Sequence, residues 1–265
     1  MDANHPFFGP AKPATRVEEL VPTDPIEISA RLWAGIGYSD TATRSGTAYY
    51  IGANCGQNLA LIASRYSTVH CFEPSPRSYA ILESLAANYS PPAVSTDAGR
   101  LPTVACHNIA VSDHNGSVVL ADLPGRPHET GQLVTPGVHG MDWDPGNWDT
   151  VSKENLLNVA CFTVDTLSEI YGVPDFVAMD TEGHEWNILQ GMGHTLLHYP
   201  TLLIEFHSPS NYDNITRVLR SHGYKVETIR HPHFRPQSRM WGQLGWIKAS
   251  ARKNQKTPPV SAFTG

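Results

Sequence analysis

The side chains best able to do chemistry in this 265-residue chain sit just beyond short apolar runs. Gly52-Ala53-Asn54-Cys55-Gly56 follows one such run, and Glu73 closes the next. Asn108 lies in a third, Asp180-Thr181-Glu182-Gly183-His184-Glu185 follows a fourth, and Glu205 and His207 end a fifth. Glycines suit the first cluster because a ligand must approach the backbone closely and the turn can demand positive φ. The spacing is not the three-glycine dinucleotide turn, and the lysine and hydroxyl of a phosphate-gripping loop are missing. Glu73 stands 21 residues after Gly52, where a strand-end carboxylate can accept both ribose hydroxyls of an adenosine cofactor. Its structural alternative is a carboxylate at a helix N-terminus. A dinucleotide would lay its pyrophosphate on the helix start. S-adenosylmethionine carries no phosphate and presents a cation, so few glycines and many carboxylates favour it.

Alkyl transfer from a sulfonium needs an aligned acceptor and exclusion of water, and a neutral hydroxyl needs a base for its proton. Asp180, at a strand end, is the first candidate to contact the acceptor, with helix capping as its alternative role. Glu182 can orient the acceptor, while Gly183 lets the chain turn and His184 and Glu185 open a helix. Glu205 and His207 are two apart and share a strand face, which makes His207 a candidate base. The same carboxylates and histidines could hold a divalent cation, but their spacing is not diagnostic and no metal ligand is assigned.

These clusters require alternating strands and helices to position them. The pattern predicts strands over 48–51, 68–72, 103–110, 118–121, 176–179, 201–206, 224–229 and 242–247. Helices are expected over 57–65, 77–88, 165–171, 184–190 and 215–222, with 118–121 an antiparallel addition after an Asn115-Gly116 turn. Strand–helix alternation implies a parallel, doubly wound sheet with helices on both faces, and such sheets bind ligands beyond their strand ends. Residues 1–45 read as an extension with a short helix over 27–35, 46–248 as the main domain and 249–265 as a frayed tail. Within the domain, 122–158 is an insertion without periodicity, a candidate lid carrying Trp143 and Trp148.

Net charge is −6 with no basic run, which argues against a nucleic-acid partner. No apolar stretch approaches the ~18 residues of a membrane span. The four cysteines lack C-x-x-C spacing and read as reduced thiols in a cytoplasmic protein.

In order, the chain carries Tyr50-Ile51-Gly52-Ala53-Asn54-Cys55-Gly56-Gln57, Cys71-Phe72-Glu73-Pro74, Asn108-Ile109-Ala110-Val111-Ser112-Asp113, Val164-Asp165-Thr166-Leu167, Met179-Asp180-Thr181-Glu182-Gly183-His184-Glu185 and Leu203-Ile204-Glu205-Phe206-His207. Together these resemble the FkbM-type S-adenosylmethionine-dependent methyltransferases. The resemblance implies a class I methyltransferase (Rossmann-like) α/β fold with a seven-stranded, mainly parallel sheet. It places Gly52, Ala53, Asn54 and Gly56 against the cofactor and Glu73 on its ribose; Asn108, at the end of the third strand, is added to the cofactor-binding candidates by position. The acceptor it implies is a hydroxyl, often on a sugar or a secondary metabolite. The residues themselves, by their strand-end positions, make Asp180, Glu182 and His207 the catalytic candidates on a small-molecule or glycan hydroxyl. Where the family usually carries Asp before the first glycine, this chain has Tyr50. A nicotinamide-dependent oxidoreductase and a catalytically inactive methyltransferase-like binding module are the rival readings.

Overall fold

A computed structural model describes residues 45–89, 102–122, 132–134, 155–230 and 245–251. The expected short helix over 27–35, the tail beyond 251, and Trp143 and Trp148 lie outside the described residues.

The first half alternates β1 (Thr47–Ile51), α1 (Leu59–Ala63), β2 (Thr68–Phe72), α2 (Pro76–Ala86) and β3 (Thr103–His107), with β4 (Ala110–Val111), β5 (Gly116–Ala121) and β6 (Gln132–Val134) following. The second half contains β7 (Leu156–Phe162), α3 (Val164–Tyr171), β8 (Phe176–Met179), α4 (Glu185–Gln190) and α5 (Gly193–Leu196). It closes with β9 (Thr201–Phe206), α6 (Pro209–Ser221), β10 (Lys225–Arg230) and β11 (Gly245–Ser250). The main sheet has the seven strands the resemblance implies, in the order β10-β11-β9-β8-β1-β2-β3. All neighbours pair parallel except β11, which is antiparallel to both β9 and β10.

Two apolar layers cover the sheet because successive strand residues point to opposite faces. Tyr49, Ile51, Phe72, Val177, Met179, Ile204 and Phe206 pack against α3, α4, α5 and α6 through Leu167, Ile188, Leu196 and Ile215. Ala48, Tyr50, Val69, Cys71, Ala178 and Leu203 pack against Leu59 and Ile62 of α1 and Leu82 of α2. Strands buried on both faces read as continuous apolar runs, and Phe176–Met179 is buried throughout. Local signals start the helices. Ser75 caps α2 ahead of Pro76, Thr163 caps α3, and Ser208 caps α6 ahead of Pro209.

The structure departs from the sequence reading at β4–β7. The expected strand over 103–110 stops at His107, and its last residue, Ala110, joins a separate four-stranded sheet of order β4-β7-β5-β6. The strand after Asn115-Gly116 is antiparallel, but its neighbours are β7 and β6 rather than β3. β7 and β6 occupy parts of what read as an aperiodic insertion. β7 alternates exposed and half-buried residues up to Cys161, a weak pattern that becomes a strand by pairing along the whole of β5.

Candidate functional site

Strand order reverses at β1, which pairs with β2 on one side and β8 on the other. Ligands of open α/β sheets bind beyond the strand ends at such a point, and the sequence clusters converge here. Gly52 holds φ +72, and a Cβ at that position would stand 1.8 Å from the Asp180 carbonyl oxygen. Only glycine lets the β1 turn close onto the end of β8, so this contact joins the glycine turn to the acidic cluster. The turn is pinned by the Gly52 and Ala53 amides, which both donate to Phe72 O. Asn54 (φ +48) and Gly56 (φ +86) complete it in left-handed conformations.

Glu73 forms the other wall. Its Oε2 accepts the Asn54 amide at 2.8 Å and its Oε1 the Ser75 amide at 2.8 Å. Asn108 Nδ2 donates to the carbonyls of Glu73 and Pro74. Burial pushes the Glu73 carboxyl up to about 7 against the pull of these amides, with Asp122 and Asp180 adding repulsion. Each carboxylate oxygen has a second lone pair, so the acid that orders the turn can still accept ligand hydroxyls. Asp122, itself buried, accepts from Ser75 Oγ at 3.0 Å and pairs with Arg77 at 3.1 Å.

Asp180, Glu182 and His207 come together on the far side. His207 Nε2 lies 3.7 Å from Asp180 Oδ1 and 3.6 Å from Glu182 Oε2. Glu182 (φ +54) and Gly183 (φ +107) bend the chain back toward His207. The hub of this cluster is Glu185, which sequence reasoning treated only as the opening of a helix. It is fully buried. Its Oε1 accepts from Thr181 N, Thr181 Oγ1, Gly183 N and His207 Nδ1, the last at 2.9 Å. Its Oε2 accepts from Asn211 Nδ2 at 2.6 Å. Asn211 lies in the first turn of α6, and no spacing in the sequence links it to Glu185. His184 faces elsewhere, its Nε2 2.9 Å from Ser112 Oγ beside β4.

Burial by itself would lower the His207 pKa, but Glu185, Glu182 and Glu205 raise it well above the usual imidazole value. Burial would raise Glu185, yet His207 and the Gly183 amide hold it low. These two therefore form an internal ion pair. Burial and Asp180 drive Glu205 well above the carboxylate range, and Glu205 hydrogen-bonds to Asp180. Asp180 is raised by burial and by Glu185, against the attraction of His207. Asp180, Glu205 and His207 each bring one donor atom within 4.8 Å of the others, which gives the crevice donors suited to a divalent cation. Tyr50 packs beside the acidic cluster, where burial and the Asp180 charge hold its hydroxyl well above the usual phenol value. Its ring is 3% exposed within the α1–α2 layer, and its hydroxyl accepts from Asn58 Nδ2 at 3.4 Å.

No described helix is long and apolar enough to cross a membrane. Among curated proteins, the hexuronic acid methyltransferase AglP of Haloferax volcanii is 26% identical over 172 residues, covering 64% of this chain and 59% of its own length. The crystal structure of methyltransferase FkbM from Methylobacillus flagellatus KT aligns with a TM-score of 0.51 at 17% identity. That alignment covers 80% of this chain and 44% of the solved one, and it supports the fold alone. The methyltransferase FkbM domain matches residues 51–226. That span runs from the end of β1 into β10 and contains every crevice residue described above, so the chain belongs to the FkbM methyltransferase family.

Proposed function

We propose that the protein transfers a methyl group from S-adenosylmethionine to a hydroxyl of a small-molecule or carbohydrate acceptor. The supporting observation is the contact of Gly52 with the Asp180 backbone, which puts the glycine turn, the Glu73 corner and the acidic cluster in one crevice. The residues fit the cofactor: a turn held in left-handed conformations at Gly52, Asn54 and Gly56 lies beside a buried acid that accepts the Asn54 amide and can also accept ribose hydroxyls. S-adenosylmethionine supplies a methyl group on a cationic sulfur. In this reading Gly52, Ala53, Asn54 and Gly56 line the cofactor, Glu73 holds its ribose, and Asn108 fixes the Glu73 backbone.

Asp180 then faces the acceptor. It takes the hydroxyl proton as the oxygen forms its new bond to carbon. Glu182 orients the acceptor. His207, expected from the sequence as the base, is paired with Glu185 and holds its proton too firmly for that role, so it serves instead as the cation within 3.6–3.7 Å of both carboxylates. The carboxylates surrounding the crevice also favour a cationic donor. The name of the Haloferax relative, a hexuronic acid methyltransferase, supports a sugar hydroxyl as the acceptor class.

Calorimetry tests the reading. S-adenosylhomocysteine is expected to bind wild-type protein and to bind Glu73→Ala weakly. No heat from either S-adenosylmethionine or S-adenosylhomocysteine at about 1 mM would remove the proposal. A thermal shift with NAD(H) in their place would favour an oxidoreductase.

A further inference from the structure

Cys71 and Cys106 stand directly opposite each other on the adjacent parallel strands β2 and β3. Both are free thiols. Cys71 is buried in the α1–α2 layer, and Cys106 is half-buried at its margin. The Cys106 sulfur and burial hold Cys71 well above the usual thiol value, whereas Cys71 lowers Cys106 despite its partial burial. Neighbouring strands lie about 4.7–4.9 Å apart, inside the roughly 4.4–6.8 Å span of Cα separations in disulfides. The other two cysteines stand apart: Cys55 is in the glycine turn, and buried Cys161 contacts His114 in the second sheet.

We propose that Cys106 and Cys71 form a hydroperoxide-reactive dithiol, with Cys106 the attacking sulfur and Cys71 the resolving one. The Cys106 sulfur attacks the terminal peroxide oxygen, and the O–O bond breaks. Alcohol (water, from hydrogen peroxide) leaves, and Cys106 becomes a sulfenic acid. The Cys71 sulfur then displaces hydroxide from Cys106, and the Cys71 proton leaves with it as water. Two thiols are oxidised by two electrons to one disulfide, and the peroxide is reduced.

The pair lies two residues before Glu73 and Asn108 on the same two strands. These continue directly into the corner where the Glu73 amide donates to His107 O and Asn108 Nδ2 donates to Glu73 O. A disulfide needs Cβ atoms about 3.8 Å apart, so its closure draws β2 and β3 together beneath that corner. Weaker cofactor binding follows, a consequence that rests on the methyl-transfer reading, whereas the thiol chemistry does not.

The test treats the reduced full-length protein with hydrogen peroxide and maps non-reduced peptides by mass spectrometry. A Cys71–Cys106 peptide pair reversed by dithiothreitol is expected. In Cys71→Ser, Cys106 should stop at a dimedone-trappable sulfenic acid. Absence of the Cys71–Cys106 linkage in the wild type, or oxidation of Cys55 and Cys161 ahead of Cys106, would overturn the dithiol. The oxidised wild type should bind S-adenosylhomocysteine about fivefold more weakly or worse, the lower end of ordinary coupling between sites. A complete crosslink with unchanged affinity would overturn the link to the Glu73 corner while leaving the methyl-transfer reading intact.

Discussion

Replacing Glu185 with Gln tests how the acidic cluster is held together. The substitution keeps the side-chain shape but removes the charge 2.9 Å from His207 Nδ1. At that distance, with an effective dielectric of about 20, the gross attraction is about 6 kcal/mol. Desolvation of two buried charges offsets much of it, and removing one member of a buried pair ordinarily costs about 3–5 kcal/mol. The amide oxygen can still accept from Thr181 and Gly183, but the amide nitrogen then faces the Asn211 Nδ2 donor that now sits 2.6 Å from Oε2. We therefore expect Glu185→Gln to lose about 3 kcal/mol near pH 6 by urea unfolding. The loss should depend on pH. The raised His207 pKa contributes stability in full below its unfolded value of about 6.5 and loses it as pH rises through the folded value. The lowered Glu185 pKa contributes above about 4.5 and fades as pH falls through its folded value. The gap between wild type and variant should be widest between these limits and shrink at both extremes. NMR titration of the His207 ring should also show its pKa falling in the variant. A loss below about 1 kcal/mol, a pH-independent gap, or an unmoved His207 pKa would each refute the ion pair as the organiser of the site.

Other perturbations follow from the same geometry. Gly52→Ala places a methyl 1.8 Å from Asp180 O and should lose several-fold more stability in urea than Gly172→Ala. The latter also has positive φ, at 91° with ψ 152°, but nothing lies within 4 Å of its added Cβ, so only the backbone strain of about 1–3 kcal/mol is expected there. Because the folded Glu73 pKa is raised to about 7, the Glu73 contribution to stability should fall as pH rises from about 4.5 toward that value and level off above it. Glu73→Gln should flatten that slope in pH-dependent melts. Burial and His107 depress His70 to about 4, so His70 contributes stability that is lost as pH drops from about 6.5 toward that value, a slope opposite to that of Glu73. His70→Phe should remove the dependence, and a melting curve equally steep in the variant would count against the assignment.

Much of the fold was legible because parallel strands buried on both faces leave apolar runs with polar residues directly after them. β2 and β8 coincide with the expected strands residue for residue. α6 begins at Pro209 rather than Ile215 because the Ser208–Pro209 start signal precedes the first buried apolar residue of the helix. β7 was hidden because its half-exposed alternation carries little hydrophobic signal until β5 pairs with it. Gly52, Glu73, Asp180, Glu182 and His207 could each be named from strand-end position, since the sheet delivers all strand ends to one edge. Glu185 and Asn211 could not be named in the same way, because their roles arise from a contact between α4 and α6.

By itself, the sequence determined the layered α/β architecture and the edge at which chemistry-bearing residues gather. Strand and helix periodicity is a local property, and the direction of each strand follows from the helix after it. Only the tertiary structure decided which groups in that edge carry charge. Protonation of His207, Glu205 and Asp180 depends on burial and on carboxylates brought close from β8, α4 and β9. Electrostatic energy varies with distance through space, and distance along the chain does not encode it.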